Sequence, residues 1–102
     1  MKAIFTMGCY KDHGIILEFR TKKGKIKKDV FSFEEPLQRD LTRKNISRLF
    51  QAAKVDLIAG GDIDKQLCSL KGTKVNLVMK NDHIKRIEPR KKKKVTFESL
   101  GL

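Results

Sequence analysis

The chain has 102 residues with 39% hydrophobic content, which suffices for the core of one small domain and leaves no room for a second. Its 24 Lys and Arg outnumber its 12 Asp and Glu, and the formal net charge of +12 favours a polyanionic partner, with nucleic acid first. No stretch approaches the roughly 20 apolar residues of a membrane span or the apolar run of a signal peptide, so we expect a cytoplasmic protein that does not enter a membrane.

Residues that carry metal or covalent chemistry are few and scattered. Cys9 and Cys68 are far apart in sequence and lack the spacing of a zinc site, so we predict reduced thiols, no metal and no cofactor. No phosphate-binding loop, paired-histidine motif or Ser-His-Asp arrangement is present, and "GDID", with Asp62 and Asp64, is the nearest approach to a nuclease site. We interpret those acids as polar loop residues and predict a protein that is not an enzyme.

The first two predicted elements are a strand and a hairpin. Residues 2–10 are rich in β-branched and aromatic residues and predict strand one, and "IILEFRTKKGKIKKDVFSF" predicts a hairpin with a two-residue turn at Lys23-Gly24. That turn pairs Arg20 with Lys27.

Side-chain alternation along the hairpin then separates an apolar face, with Leu17, Thr21, Ile26 and Val30, from a charged face: Glu18, Arg20, Lys22, Lys25, Lys27 and Asp29. Lys28 falls on the apolar face, and Phe31 and Phe33 fall on the charged face unless a bulge after Asp29 turns them inward.

After the first hairpin, the spacing of apolar residues changes from that of a strand to that of a helix, which predicts one helix. Its apolar stripe has helical spacing and consists of Ile46, Leu49, Phe50 and Ala53. Asp40 or Thr42 is expected to cap its start, and the paired glycines at 60 and 61 are expected to end it.

A second hairpin follows in "LKGTKVNLVMKNDHIKRIEP". Asn81-Asp82 is its predicted turn, with Val75, Leu77 and Met79 on one face of the first strand. Ile84 and Ile87 stand three apart, which requires either a bulge or an early end of the second strand. From Pro89 onward the chain is too charged and too short to fold, so residues 90–102 are predicted to be a basic C-terminal tail.

The predicted order is therefore β-β-β-α-β-β within residues 1–89. A mainly β chain of five short strands with one helix between the third and fourth fits an OB-fold-like five-stranded barrel, whose second and third strands form the ligand platform. The basic hairpin lies on that platform.

Three segments also carry a family resemblance. They are the first hairpin, the helix "LTRKNISRLFQAAKVD" and above all the second hairpin, with its Leu70-Lys71-Gly72 step and its closing strand "KRIEP", and together they cover most of residues 15–89. In these segments the chain resembles the small OB-fold single-stranded-DNA-binding proteins of bacteriophage replication and recombination modules. The resemblance implies single-stranded DNA, favoured over RNA, as the ligand, and a homo-oligomer and a replication or recombination protein as further candidate partners.

The chain departs from that family in two respects. Its C-terminal segment is basic rather than acidic, which puts recruitment of partner enzymes through an acidic tail in doubt. It also has no Trp and one Tyr, so a stacking platform depends on Tyr10 and the phenylalanines.

The candidate site follows from what a single strand offers. A sequence-tolerant binder combines a cationic groove with aromatic rings, each base stack being worth about 1–3 kcal/mol. We predict stacking by Tyr10 and Phe31, with Arg90–Lys94 extending the phosphate contacts. The main phosphate contacts are predicted from cations of the two hairpins: Arg20, Lys22, Lys25, Lys27, Lys74, Lys80, Lys85 and Arg86.

Two other functions fit the same composition. One is a small viral interaction protein that inhibits a host enzyme through its basic hairpin, and it would bind that enzyme and few oligonucleotides. The other is an RNA-binding barrel, because contacts to the 2′-hydroxyl leave no mark on a sequence.

Overall fold

A computed structural model describes residues 1–58 and 60–90, which form one antiparallel sheet and two helices. The elements are β1 (Lys2–Lys11), β2 (Gly14–Thr21), β3 (Ile26–Ser32), α1 (Pro36–Ala53), α2 (Ile63–Cys68), β4 (Lys74–Lys80) and β5 (His83–Pro89). The hydrogen-bonded strand order is β3-β2-β1-β4-β5. The prediction of a mainly β chain with five strands and a helix after the third is confirmed, whereas the short helix α2 is an addition to it.

The first hairpin has a three-residue loop instead of the predicted two-residue turn. The Thr21 amide donates to the Lys25 carbonyl at 2.8 Å, so Lys22, Lys23 and Gly24 form the loop. Gly24 has φ of +84°, the left-handed conformation that the last residue of such a loop requires. The predicted register is therefore wrong by one residue, and Arg20 pairs with Ile26 instead of Lys27.

This shift exchanges the two faces of β3 and leaves β2 as predicted. Lys27 and Phe31 pair with Phe19 and Ile15, which face the core, while Lys28 pairs with Glu18, which faces away from it. Phe31 is consequently buried without a bulge after Asp29, because the pairing of β2 with β3 is continuous.

A bulge at Thr6 keeps β1 in phase with the core. The register shifts between Phe5 and Met7, so that Phe5 pairs with Phe19 and Gly8 with Leu17. In a regular strand without a bulge, Phe5 and Gly8 would lie on opposite faces because they stand three residues apart. The Phe5 and Phe19 ring centroids lie 5.5 Å apart at the centre of the core.

Helix α1 starts earlier and ends earlier than predicted. Pro36 occupies its first turn after Glu35, where the missing amide proton of proline costs no hydrogen bond. The predicted cap Thr42 is instead buried within the helix, and its hydroxyl donates to the Ser32 carbonyl at 2.7 Å. The helix ends at Ala53 and is followed by the cap residue Lys54, which has φ of +58°, and the predicted apolar stripe does face the core.

The second hairpin forms as predicted and contains a bulge in β5. Asn81 and Asp82 both have positive φ, as a two-residue type I′ turn requires. The register shifts at Met79, so Ile84 and Ile87 both point to the core although they stand three apart. At this bulge the buried side chain of Asn45 accepts a hydrogen bond from the Ile87 amide at 2.9 Å.

Helix α2 lies beside β1 beyond the point where β4 stops pairing with it. Asp62 caps α2 by accepting hydrogen bonds from its first amides, and Asp64 accepts one from the Tyr10 amide at 2.7 Å. Both acids of the "GDID" segment therefore have structural hydrogen bonds. Neither α1 nor α2 has the length and apolar character of a membrane-crossing helix, and the described ranges contain no other helix.

The first residue of the predicted tail is bound to the sheet. The Arg90 guanidinium donates to the Ala3 carbonyl at 3.2 Å and approaches the Val75 carbonyl at 3.4 Å. Arg90 therefore belongs with the folded residues, and the remainder of the predicted tail, residues 91–102, lies outside the described residues.

Candidate nucleic-acid interface

The surface of the sheet that faces away from the core carries both cations and exposed apolar side chains. We call it the outer face and define it by residues of four neighbouring strands: Ile4, Met7, Cys9, Ile16, Glu18, Arg20, Ile26, Lys28, Val30 and Lys74. Met7, Ile26 and Val30 are 51%, 55% and 61% exposed, so this is not an ordinary polar surface.

The register aligns four of these residues in one row. Ile4 pairs with Arg20 on one side and with Lys74 on the other, and Arg20 pairs in turn with Ile26. Because strands lie about 4.8 Å apart, the Arg20 and Lys74 backbones are separated by about 10 Å. The row thus alternates apolar and cationic side chains across β3, β2, β1 and β4.

The cations of the outer face have no carboxylate partner within the described residues. The ion pairs found there are Arg86 with Glu88 at 2.8 Å on β5 and, when the imidazole is protonated, His83 with Asp29 at 3.3 Å, and neither uses Arg20, Lys28 or Lys74. Glu18, the acid among the ten residues that define the face, accepts a hydrogen bond from the Thr6 hydroxyl at 2.8 Å and is not ion-paired with Lys28 across the strands. Arg20, Lys28 and Lys74 therefore remain available to anionic groups.

The loop of the first hairpin adds further cations next to this row. Lys22 and Lys25, both predicted site residues, are exposed on either side of Gly24. Together with Arg20 and Lys74, they make the part of the predicted site that the fold brings together.

Two predicted residues of the first hairpin lie elsewhere. Lys27 pairs with Phe19 on the core-facing side of β3 and is half-buried, so its neighbour Lys28 takes the predicted place on the outer face. Phe31 is 7% exposed and belongs to the hydrophobic core, so its ring has no free face for a base. Both differences result from the one-residue shift in register.

The predicted cations of the second hairpin do not join the row at Arg20. Lys80 pairs with His83 next to the turn, and Lys85 occupies the bulge of β5. Arg86 is exposed but ion-paired with Glu88. Lys74, at the other end of β4, is the exception.

Tyr10 lies in a separate place, in an apolar groove at the far end of the sheet. It is on the core-facing side of β1 and pairs with Ile15, five residues from Arg20 on β2, which places it about 17 Å along the strands from the Arg20 row. Tyr10 is 48% exposed, and its ring centroid lies 6.3 Å from that of Phe33 at an interplanar angle of 34°. We call the cavity of about 460 Å³ beside these rings the Tyr10–Phe33 groove, and its walls are completed by Ile15, Arg43, Ile46, Ser47, Leu57 and Ile63.

Sequence reasoning left Lys28 and Arg43 out of the predicted site, and it considered Phe33 only as one of several phenylalanines on which a stacking platform could depend. Lys28 could have been found from the turn, since a glycine in third place of a three-residue loop predicts the observed register. Alternation places Phe33 on the charged face of the hairpin, unless a bulge turns it inward. In the structure it follows the end of β3 and lies beside Tyr10. Arg43 belongs to an exposed helix face with no distinguishing local pattern.

Comparison with known proteins does not identify a family for this chain. No protein-family model matches the chain, and no curated protein sequence matches it.

Proposed function

We propose that this chain is a non-catalytic single-stranded-DNA-binding protein that holds the phosphates of the strand on its outer face. The observation that carries the proposal is the row of Ile26, Arg20, Ile4 and Lys74 across four strands. Its cations suit phosphates, and the apolar side chains between them suit the faces of unpaired bases. A duplex would offer this surface only phosphates and groove edges and would leave the apolar side chains against charge and water.

The strand order supports an OB-fold-like barrel as the frame of this site. In the sheet β3-β2-β1-β4-β5, closing the barrel requires the edge strands β3 and β5 to meet. Asp29 of β3 accepts a hydrogen bond from the Ile84 amide of β5, which draws these two edges together. The outer face of β2 and β3 then corresponds to the surface on which OB-folds bind oligonucleotides.

The biological setting rests on the family resemblance alone. On that basis we propose phage DNA replication or recombination as the process, in the cytoplasm of the host. A second copy of the chain or a replication or recombination protein would be the further partner.

Fluorescence anisotropy with labelled oligonucleotides tests the function. The probes are a dT strand of about 20 nucleotides, which exceeds the roughly 4–16 that one OB-fold covers, an RNA strand of matching sequence and a blunt duplex. We expect the dT strand to bind most tightly. If the site neutralises about five phosphates, affinity should fall on the order of a hundredfold between roughly 50 and 200 mM salt.

A matched pair of double variants locates the site. Arg20→Glu with Lys74→Glu should abolish binding of the dT strand. Lys44→Glu with Lys65→Glu makes the same change in net charge at exposed helix positions and should weaken binding much less.

Three outcomes would contradict the proposal. Equal binding of all probes would indicate nonspecific polycation behaviour, and tighter binding of RNA would indicate the RNA-binding alternative. No binding at low salt would direct attention to a protein target such as a host enzyme.

A further inference from the structure

The Tyr10–Phe33 groove has the shape and chemistry of a site for a planar apolar ligand. Its principal walls are two aromatic rings and aliphatic side chains from β2, α1 and α2. Its volume of about 460 Å³ falls within the range of roughly 300–1,000 Å³ that is typical of small-molecule sites. Tyr10 is nearly half exposed although it lies on the core-facing side of β1, so the ring forms an open wall.

Two polar side chains give the groove a preference for an anionic or hydrogen-bonding ligand. Arg43 and Ser47 stand one helical turn apart on α1 and line the same wall. Within residues 1–58 and 60–90, neither side chain has a hydrogen-bond or ion-pair partner in the protein. A guanidinium and a hydroxyl beside aromatic rings can contact the polar edge or the phosphate of a nucleotide whose base lies against the ring.

We propose that the Tyr10–Phe33 groove binds one unstacked base of the same single strand, a site distinct from the phosphate contacts of the outer face. The inference rests on the proposed function, and it deepens that function by naming a base-binding site. It places this one base in the groove between the sheet and α1, apart from the bases that lie against the apolar side chains of the outer face.

The end of the β1–β2 hairpin connects the two sites. Lys11 follows Tyr10 directly and pairs with Gly14, which places its side chain on the opposite side of the sheet, toward the outer face. A strand that starts at the Arg20 row covers about 17 Å along β1 before it reaches this end and turns over it into the groove. At roughly 3.4 Å for each stacked nucleotide this distance takes about five nucleotides, within the roughly 4–16 that one OB-fold covers.

The composition of the chain provides a direct probe of the site. Tyr10 is the single tyrosine and no tryptophan is present, so the intrinsic tyrosine fluorescence of the full chain reports on this one ring. The probes are a dT strand of about 20 nucleotides, an abasic strand of equal length that carries phosphates without bases, and deoxythymidine monophosphate. We expect the dT strand and the monophosphate to quench the fluorescence and the abasic strand to leave it unchanged.

Variants of the groove separate base stacking from phosphate binding. Tyr10→Leu should weaken binding of the dT strand about 5- to 100-fold and leave binding of the abasic strand unchanged, because one base stack is lost. Tyr10→Phe keeps the aromatic ring and should retain most of the affinity. Arg43→Gln should weaken dT binding, whereas Lys44→Gln, at the exposed neighbouring position outside the groove, should have little effect.

The results distinguish this inference from the proposed function. Unchanged tyrosine fluorescence on saturation with the dT strand would overturn the base site and leave the outer face intact. Equal loss of dT and abasic binding in Tyr10→Leu would also overturn it, because the role of the ring would then be structural. If Arg20→Glu with Lys74→Glu fails to weaken dT binding while Tyr10→Leu does, the base site in the groove is supported and the phosphate contacts of the outer face are contradicted. If neither strand binds and the monophosphate causes no quenching, both proposals fail.

Discussion

Asp29 on β3 accepts a hydrogen bond from the backbone amide of Ile84 on β5 at 2.8 Å, across the two edges of the hydrogen-bonded sheet. The same oxygen lies 3.3 Å from Nδ1 of His83, whose side chain is 77% exposed. In the described part of the chain, this carboxylate is the hydrogen-bonded link between the β3 and β5 edges.

We expect Asp29→Ala to lower the free energy of unfolding by about 1–3 kcal/mol, because it leaves the half-buried Ile84 amide without its acceptor. His83→Ala should lower it by less than about 1 kcal/mol, since a contact made by an exposed side chain contributes little. Urea unfolding measures both values, and amide hydrogen exchange at Ile84 should accelerate only in the Asp29 variant. An equal loss in the two variants would show that the ion pair, and not the amide bond, joins the edges.

Asn45 links α1 to the bulge of β5, and it is 3% exposed. Asn45→Leu should lower the free energy of unfolding by about 1–3 kcal/mol, because the buried Ile87 amide loses its acceptor. Lys44→Ala, one residue earlier on the exposed face, should change it by less than about 0.5 kcal/mol. If Asn45→Leu leaves the free energy of unfolding unchanged, apolar packing at this position compensates for the lost hydrogen bond.

The neighbouring lysines of β3 provide a test of the register in solution. Lys28→Gln should remove one phosphate contact and reduce the slope of log affinity against log salt by about 0.7, because Lys28 lies on the outer face. Lys27→Gln should leave that slope unchanged, since Lys27 lies on the other side of the strand. The measurement is anisotropy titration of a dT strand at several salt concentrations. The opposite pattern would restore the two-residue turn predicted from the sequence.

Gly8 allows α2 to pack against β1. A Cβ at this position would lie 2.8 Å from Cδ2 of Leu17 and 3.3 Å from Cδ1 of Leu67, and both leucines are fully buried. Gly8→Ala should therefore lower the free energy of unfolding by about 1–3 kcal/mol through overpacking, as measured by urea unfolding. Cys9→Ala, at the next position on the outer face, is the control and should be close to neutral. An unchanged free energy of unfolding in Gly8→Ala would show that the side chains of Leu17 and Leu67 shift without cost.

The groove and the outer face were predictable to different degrees. Arg20 is assigned correctly from alternation along β2, because a charged residue between Phe19 and Thr21 lies on the side away from the core. The groove could not be predicted, because its walls come from the end of β1, the residue after β3, the middle of α1 and the start of α2. No local pattern joins segments so far apart in the chain.

Composition and periodicity by themselves determined the basic charge, the five strands, the apolar stripe of α1 and the Asn81-Asp82 turn. These features depend on each residue and its near neighbours, and a helix or strand imposes a fixed period on its own side chains. The tertiary structure decided how each element is aligned with its neighbours. This alignment places Lys28 on the outer face of β3, places Phe31 in the core, and lets Asp29 accept a hydrogen bond from the Ile84 amide. A period of two fixes alternation within a strand but not its register, so one additional loop residue exchanges the two faces of the next strand.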